Sequence, residues 1–307
     1  MNARVPAAAL IVAFFAIPLA TGCNQSLNLA AVQTFTTQAA ASKETFDAVS
    51  EDFYDSCLRA SQYTTAAFDV SACDQHQQAA KLWQVANAEL LSYVASLGAL
   101  ATDKQTDFGL SNLTAAVGAL PSGKISAAQQ AAIAGAGKGL LSGIFAAQRR
   151  DALAAVMSNA ERPDAADGCP NGCLKALVDQ LTQIAQADYF AVLKNEDNQI
   201  DVFYVTKISL AEAPLKPSAS QQLNVLVSVG QLLALGQHAN QDAAHQNVTA
   251  KRAAIKQYVA ALNQIVIAHH SVVKAIQENS PEQIVGIASE FVATYSAQLS
   301  AIRKAFK

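Results

Sequence analysis

Cys169 and Cys173, with Pro170-Asn171-Gly172 between them, are the most closely spaced cysteines in the chain. Two thiols at short range can exchange electrons, hold a soft metal, or close a structural disulfide. Redox motifs of the thioredoxin type have two intervening residues and a strand–helix setting. Here there are three, and the flanks read as helix, so the pair is expected to be a structural disulfide. Cys57 and Cys73 are the other internal cysteines. Four cysteines allow three pairings, and nearness favours Cys57–Cys73, stapling a helix corner, with Cys169–Cys173 closing a tight loop. The five histidines are His76, His238, His245, His269 and His270. His238 and His245 are spaced to share a helix face, but no carboxylate joins them at zinc-site spacing and no His-Glu-x-x-His run occurs. No metal site is assigned. His269 falls within an apolar seam and reads as a hydrogen-bonded core residue, with a pH-responsive group as the alternative. Glu44, Asp47, Glu51, Asp52 and Asp55 form an acidic cluster, read as a solvated face with divalent-ion or partner binding as the alternative. There is no Gly-x-Ser-x-Gly elbow, phosphate-cradling loop or dinucleotide fingerprint. No catalytic residue is assigned, and the chain is not expected to be an enzyme.

The fifth cysteine, Cys23, has a different setting. Arg4 precedes an apolar run from Val5 to Ala20, interrupted only by Pro6 and Pro18, and Leu19-Ala20-Thr21-Gly22-Cys23 closes it. The run suits a secretory signal and is short for a membrane span of ~20 residues. Small residues ending at a cysteine resemble the lipobox of bacterial lipoprotein precursors. That resemblance covers residues 1–23 only. It implies removal of the signal peptide 1–22, diacylglycerol on the Cys23 thiol and an acyl chain on its amine. No other cofactor is expected. The acyl chains would hold the protein to a lipid bilayer, each buried methylene contributing ~0.8 kcal/mol. Asn24 follows the cysteine in place of the aspartate associated in enteric bacteria with inner-membrane retention. The resemblance therefore favours the periplasmic face of the outer membrane.

The elements that follow are helices. The chain of 307 residues is 51% hydrophobic but only 7% aromatic and 15% charged, with 14 Gly and 8 Pro. An alanine- and glutamine-rich composition with few helix breakers makes long helices with slim contacts. Net charge is −3, and loss of Arg4 with the signal makes it one unit more negative. Without a basic block, nucleic acid is not an expected partner. Residues 23–26 form a lipidated cysteine and short tether. Residues 27–307 form a single elongated all-α domain, a bundle of long antiparallel helices stapled by disulfides, with a possible sub-boundary near 160–173 or 214–218. The first helix is expected to run to about Ala60. Trp83, Ala86, Leu90, Tyr93, Leu97 and Leu100 then repeat at three- and four-residue spacing, as do Ile255, Tyr258, Leu262, Ile265, His269, Val272 and Ile276. Ser280-Pro281-Glu282-Gln283 signals a helix start with serine as N-cap and Gln283 placed for a capping box. Ile284, Ala288, Phe291, Tyr295, Leu299, Ile302 and Phe306 share the face that follows. Residues 200–205 alternate and fit either helix or strand. Gly230 and Gly236 are expected to kink or break a helix over 219–278.

One internal pattern is unusual. Ala131, Gly135, Gly139, Gly143 and Ala147 recur every four residues. Glycine costs a helix ~1 kcal/mol against alanine, so a stripe of small residues favours close helix packing, in a bundle core or in lipid. The preferred function is a non-catalytic adaptor or envelope scaffold that binds an envelope protein partner. The first alternative is a membrane-active protein using helix 131–147. The second is a ligand-binding or enzymatic bundle.

Overall fold

The computed structural model describes residues 29–64, 70–101, 132–133, 135, 150–164, 169–212, 222–278 and 280–307. Helices α1 (Leu29–Ala40), α2 (Lys43–Gln62), α3 (Asp74–Ala101), α4 (Arg150–Glu161), α5 (Cys173–Gln183), α6 (Phe190–Glu212), α7 (Gln222–Gln277) and α8 (Pro281–Ala305) follow one another. A 3-10 turn, Val70–Cys73, precedes α3, and a π-helical segment, Ile184–Tyr189, joins α5 to α6. There is no strand among the described residues. Extended backbone pairs there in a bridge between Asp164 and Cys169.

The helices form an elongated all-α bundle. α1 and α2 run together antiparallel to α3, with Thr36 against Gly98, the Phe46 carbonyl against Asn87, and Cys57 bonded to Cys73. A Cβ on Gly98 would collide with the Thr36 side chain, so this helix crossing depends on glycine. α7 runs alongside α3, bringing Tyr258 to Trp83 and His269 to Tyr93. α8 then runs parallel to α1 and α2, with Phe291 on Phe35 and Tyr295 on Ser42.

The periodic apolar positions are the core. Trp83, Ala86, Leu90, Tyr93 and Leu97 of α3 are buried, as are Ile255, Tyr258, Leu262, Ile265, His269 and Val272 of α7. α8 buries Ile284, Ala288, Phe291, Tyr295, Leu299 and Ile302. Burying one such large apolar side chain contributes about 1.5–3 kcal/mol, and these stripes meet in one continuous cluster.

Three local expectations need correction, and one open choice, over residues 200–205, is decided. First, the N-terminal helix is two helices. Ser42 donates from its hydroxyl to the Ala39 carbonyl at 2.6 Å and accepts the Tyr295 hydroxyl at 2.8 Å. A serine hydroxyl that takes a backbone carbonyl competes with the helical ladder. Second, residues 200–205 are helical, inside α6. Third, α7 continues through Gly230 and Gly236 for 56 residues, about 84 Å at 1.5 Å per residue. A Cβ on Gly236 would meet nothing within 4 Å, so that glycine marks open space and not a crossing. Fourth, Ser280 is the N-cap of α8 and Pro281 is its first residue, but no side-chain capping bond forms. The Gln283 amide instead bonds the Ser280 carbonyl at 3.2 Å.

Both expected disulfides are present, with Cα–Cα separations of 5.8 Å for Cys57–Cys73 and 4.8 Å for Cys169–Cys173. Gly172 has φ +88°, and a Cβ there would lie 2.6 Å from the Glu161 carbonyl oxygen. The tight loop therefore requires glycine both for its backbone and for its approach to the end of α4. Cys23, Ala131, Gly139, Gly143 and Ala147 lie outside the described residues. Gly135 is helical and half-buried, next to a buried Ile133.

Candidate functional site

The densest chemistry in the described residues is a buried charge network where α2, the π segment, α6 and α7 meet. Asp52, Ser56 and Arg59 lie at i, i+4 and i+7 on α2, so one helix face carries all three. The π segment supplies Tyr189, α6 supplies Glu196 and α7 supplies Lys251. The Arg59 guanidinium donates to Asp52 Oδ1 at 2.7 Å and Oδ2 at 2.9 Å, and to Glu196 Oε1 at 2.7 Å and Oε2 at 3.1 Å. Lys251 Nζ donates to Asp52 Oδ1 at 2.8 Å, and the Ser56 hydroxyl donates to Glu196 Oε2 at 2.5 Å. The Tyr189 hydroxyl also donates to Asp52 Oδ2. Side-chain exposure is 3% for Glu196, 7% for Lys251 and 10% for Asp52.

Two carboxylates face two cations, so the network is neutral as a whole. Burial pushes the Asp52 carboxyl up, but the hydrogen bonds and charges of Arg59 and Lys251 outweigh this and hold it below its ordinary value. Burial, then the charge of Asp52, pushes the Tyr189 hydroxyl well above the ordinary tyrosine range. The carboxylate oxygens are engaged by donors and Tyr189 stays protonated. This arrangement offers no free base or nucleophile. It clamps α6 and α7 to α2.

From that clamp α6 and α7 leave the bundle as an antiparallel pair. Asp197 and Asp201 sit one turn apart on α6. His245 bridges them from α7, with Nδ1 at 2.6 Å from Asp197 Oδ1 and Nε2 at 2.9 Å from Asp201 Oδ1. Two ring nitrogens can both donate only as imidazolium. Burial lowers the His245 pKa, but the hydrogen bonds to both carboxylates outweigh it and the net shift is upward. Arg252 completes the base of the arm, donating to Asp197 Oδ2 at 2.9 Å and to the Leu193 carbonyl at 3.3 Å. Tyr63, at the end of α2, packs on Phe203 and Tyr204. Further out, Ile208 and Ala234 are buried, while Val202, Val205, Leu210, Leu232, Leu233 and Leu235 are 57–70% exposed. Six large apolar side chains on one two-helix arm exceed the scattered exposure that needs no explanation.

A third cluster fixes the other half of α7. Glu161, the last residue of α4, accepts from His269 Nδ1 and His270 Nδ1, each at 3.0 Å. His269 Nε2 takes the Tyr93 hydroxyl at 2.8 Å. His269 and Tyr93 are fully buried. Burial lowers the His269 pKa, so the neutral ring donates at Nδ1 and accepts at Nε2. The order carboxylate–imidazole–hydroxyl resembles a catalytic relay, but its terminal hydroxyl is sealed in the core, so the cluster holds helices together.

Of the sequence candidates, the cysteines pair as expected and His269 is a hydrogen-bonded core residue. His238 is exposed and His245 half-buried. Asp52 departs from the expected solvated acidic face, because a rotation of about 100° per residue turns it away from Glu44, Asp47 and Glu51 into the bundle. Arg59, Tyr189, Glu196, Lys251, Asp197, Asp201 and Arg252 escaped the sequence reading. The available signals were the seven-residue spacings Asp52–Arg59 and His245–Arg252 and the four-residue spacing Asp197–Asp201. No group of three or more His, Cys, Asp or Glu side chains suited to a metal ion is found among the described residues. Within Gln231–Gln277 one window is long and apolar enough to cross a membrane, and half of it is buried in the bundle.

The class defined by this geometry is an all-α bundle with a buried neutral ion network and a protruding two-helix arm. Comparison with protein-family models, curated proteins and solved structures gives no match.

Proposed function

We propose that the mature chain is a lipid-anchored, non-catalytic protein of the cell envelope that holds the α6–α7 arm out to a protein partner. The observation that carries this reading is the exposed apolar surface of the arm, above all Leu210, Leu232, Leu233 and Leu235. The arrangement of the helices supports it. α1 begins beside the end of α3 and the start of α8, at the opposite end of α7 from the arm. Residues 24–28 separate Cys23 from α1, and six peptide steps reach at most about 20 Å. Lipid on Cys23 therefore lies near one end of the molecule and the apolar arm lies at the other. A surface facing away from the anchoring bilayer suits a partner protein across the gap better than that bilayer itself.

The test is site-specific photocrosslinking in the native cell from Leu232 and Leu235, with Glu290 on the far side as control. One recurrent envelope protein captured from the arm positions and not from Glu290 is the expected result. Capture of lipid alone would overturn the adaptor reading in favour of a membrane-active arm. Mass spectrometry of the mature N-terminus tests the anchor, and an unmodified Cys23 would remove it.

A further inference from the structure

A groove of about 550 Å³ runs between α2 and α3, on the opposite side of α2 from the arm clamp. Among the described residues its charged groups are Lys43, Asp47 and Glu51 from α2 and Glu89 from α3. Lys43 Nζ is committed to Asp47 Oδ2 at 2.5 Å, and Glu51 Oε1 accepts Gln84 Nε2 at 3.2 Å. Glu89 is different. It is only 8% exposed, yet its carboxyl has no hydrogen bond or ion pair among the described residues. The other deeply buried acids, Asp52 and Glu196, are each met by a cation. Its stem is buried while its carboxyl opens on the groove, so a chain that pairs its other buried acids leaves this one facing a cavity. Burial alone pushes the Glu89 carboxyl up, because no cation there opposes it. Among the described residues, three acids against one lysine leave the groove short of positive charge. Val85 and Ala88 add apolar wall beside Glu89.

We propose that this groove is a binding site for an alkylammonium group, a primary amine on a methylene chain, with Glu89 as its counter-ion. The methylenes lie along Val85 and Ala88, and the ammonium sits between Glu89 and Glu51. Such a group is carried either by a free polyamine or by a lysine side chain of another protein. The site is separate from the arm, so its failure would leave the arm reading untouched. When bound, the ammonium favours ionised Glu89, so binding below the raised Glu89 pKa releases a proton and tightens as pH rises.

The experiment is calorimetric titration of the purified whole protein with putrescine, spermidine, a blocked lysine amide and, separately, calcium chloride. Saturable amine binding is expected, and in titrations run below the raised Glu89 pKa its enthalpy changes with buffer ionisation heat because a proton leaves. Glu89→Gln is expected to weaken it about ten-fold, the loss of one charge-assisted bond, while the thermal midpoint holds or rises. Ser92→Lys, one turn from Glu89, is a second variant; it supplies a tethered ammonium and should abolish binding with the fold retained. Preference for the blocked lysine points to a protein lysine, and preference for spermidine to a free polyamine. No saturable amine heat, amine affinity unchanged in both variants, or binding of calcium alone would overturn the proposal.

Discussion

At the scale of single residues, the described part of this chain places nearly every deeply buried charge against an opposite one. Lys251 shows what that costs to disturb. Replacing it with methionine removes one of two cations beside Asp52 and leaves the buried carboxylate served by Arg59 and Tyr189 alone. Breaking a buried pair from one side costs about 3–5 kcal/mol, so Lys251→Met is expected to lower the urea-unfolding free energy by about 3 kcal/mol. The pair Asp52→Asn with Lys251→Met should cost less than the sum of the two singles, and strict additivity would mean that the two side chains do not interact. Acid sensitivity follows from the same site. The folded Asp52 pKa lies below its ordinary 3.8, so its contribution is full above that value and is lost as pH falls through the folded pKa. His269 acts over a different range. Its folded pKa lies below 6.5, so the unfolded chain takes up the proton first and stability declines as pH falls below 6.5. His269→Gln should flatten the stability profile between the folded pKa and 6.5, measured by denaturation at a series of pH values. A profile as steep as in the parent would assign the slope to another group.

At the scale of elements, what the sequence made legible was periodicity. The repeats from Trp83 to Leu97 and from Ile255 to Val272 lie on buried faces because a 3.6-residue turn puts them there whatever their neighbours do. The break at Ser42 was hidden because it depends on a hydroxyl reached by Tyr295, more than 250 residues away in sequence. The π segment was equally hidden: Ile184–Tyr189 has an ordinary helical composition, and its extra residue per turn accompanies the delivery of Tyr189 to Asp52. Continuity of α7 through Gly236 was missed because a glycine in an exposed helix imposes only ~1 kcal/mol, too little to break a helix clamped further along. The arm itself has a proton-dependent fastening. His245 titrates above its ordinary 6.5, so its contribution is full below 6.5 and is lost as pH rises through the folded pKa. Raising pH across that range is expected to speed amide hydrogen exchange, corrected for intrinsic rates, in Asp197–Glu212 and Gln231–His245 while the Ile255–Val272 segment stays protected. His245→Phe should exchange fast in the arm at every pH. Uniform loosening of the whole of α7 would mean that the arm does not open as a unit.

At the scale of the whole molecule, α7 is both core helix and lever. Its second half is sealed between α3, α8 and the Glu161–His269 cluster, and its first half reaches out with α6 as its main packing partner. Force or contact at the arm is thus received by a rod about 84 Å long whose far half is rooted in the core, with the ion network at the junction. That division separates stability from recognition in a testable way. Leu232 and Leu235 are 68% and 65% exposed, so replacing both with glutamate removes little buried area and is expected to change unfolding free energy by no more than about 0.5 kcal/mol per site. The same change places two carboxylates on the apolar surface that a partner would have to desolvate, a cost of several kcal/mol if they remain unpaired. The Leu232→Glu/Leu235→Glu variant should therefore melt like the parent, keep the Cys57–Cys73 and Cys169–Cys173 disulfides, and lose arm crosslinks from a reporter placed at Val205. A variant that melts normally and still captures the same partner from Val205 would remove the arm from the interaction and move the search to the remaining faces of the bundle. A large fall in the thermal midpoint would mean instead that these leucines are buried in a stable self-assembly in solution, and sedimentation of the parent would then show a species larger than one chain.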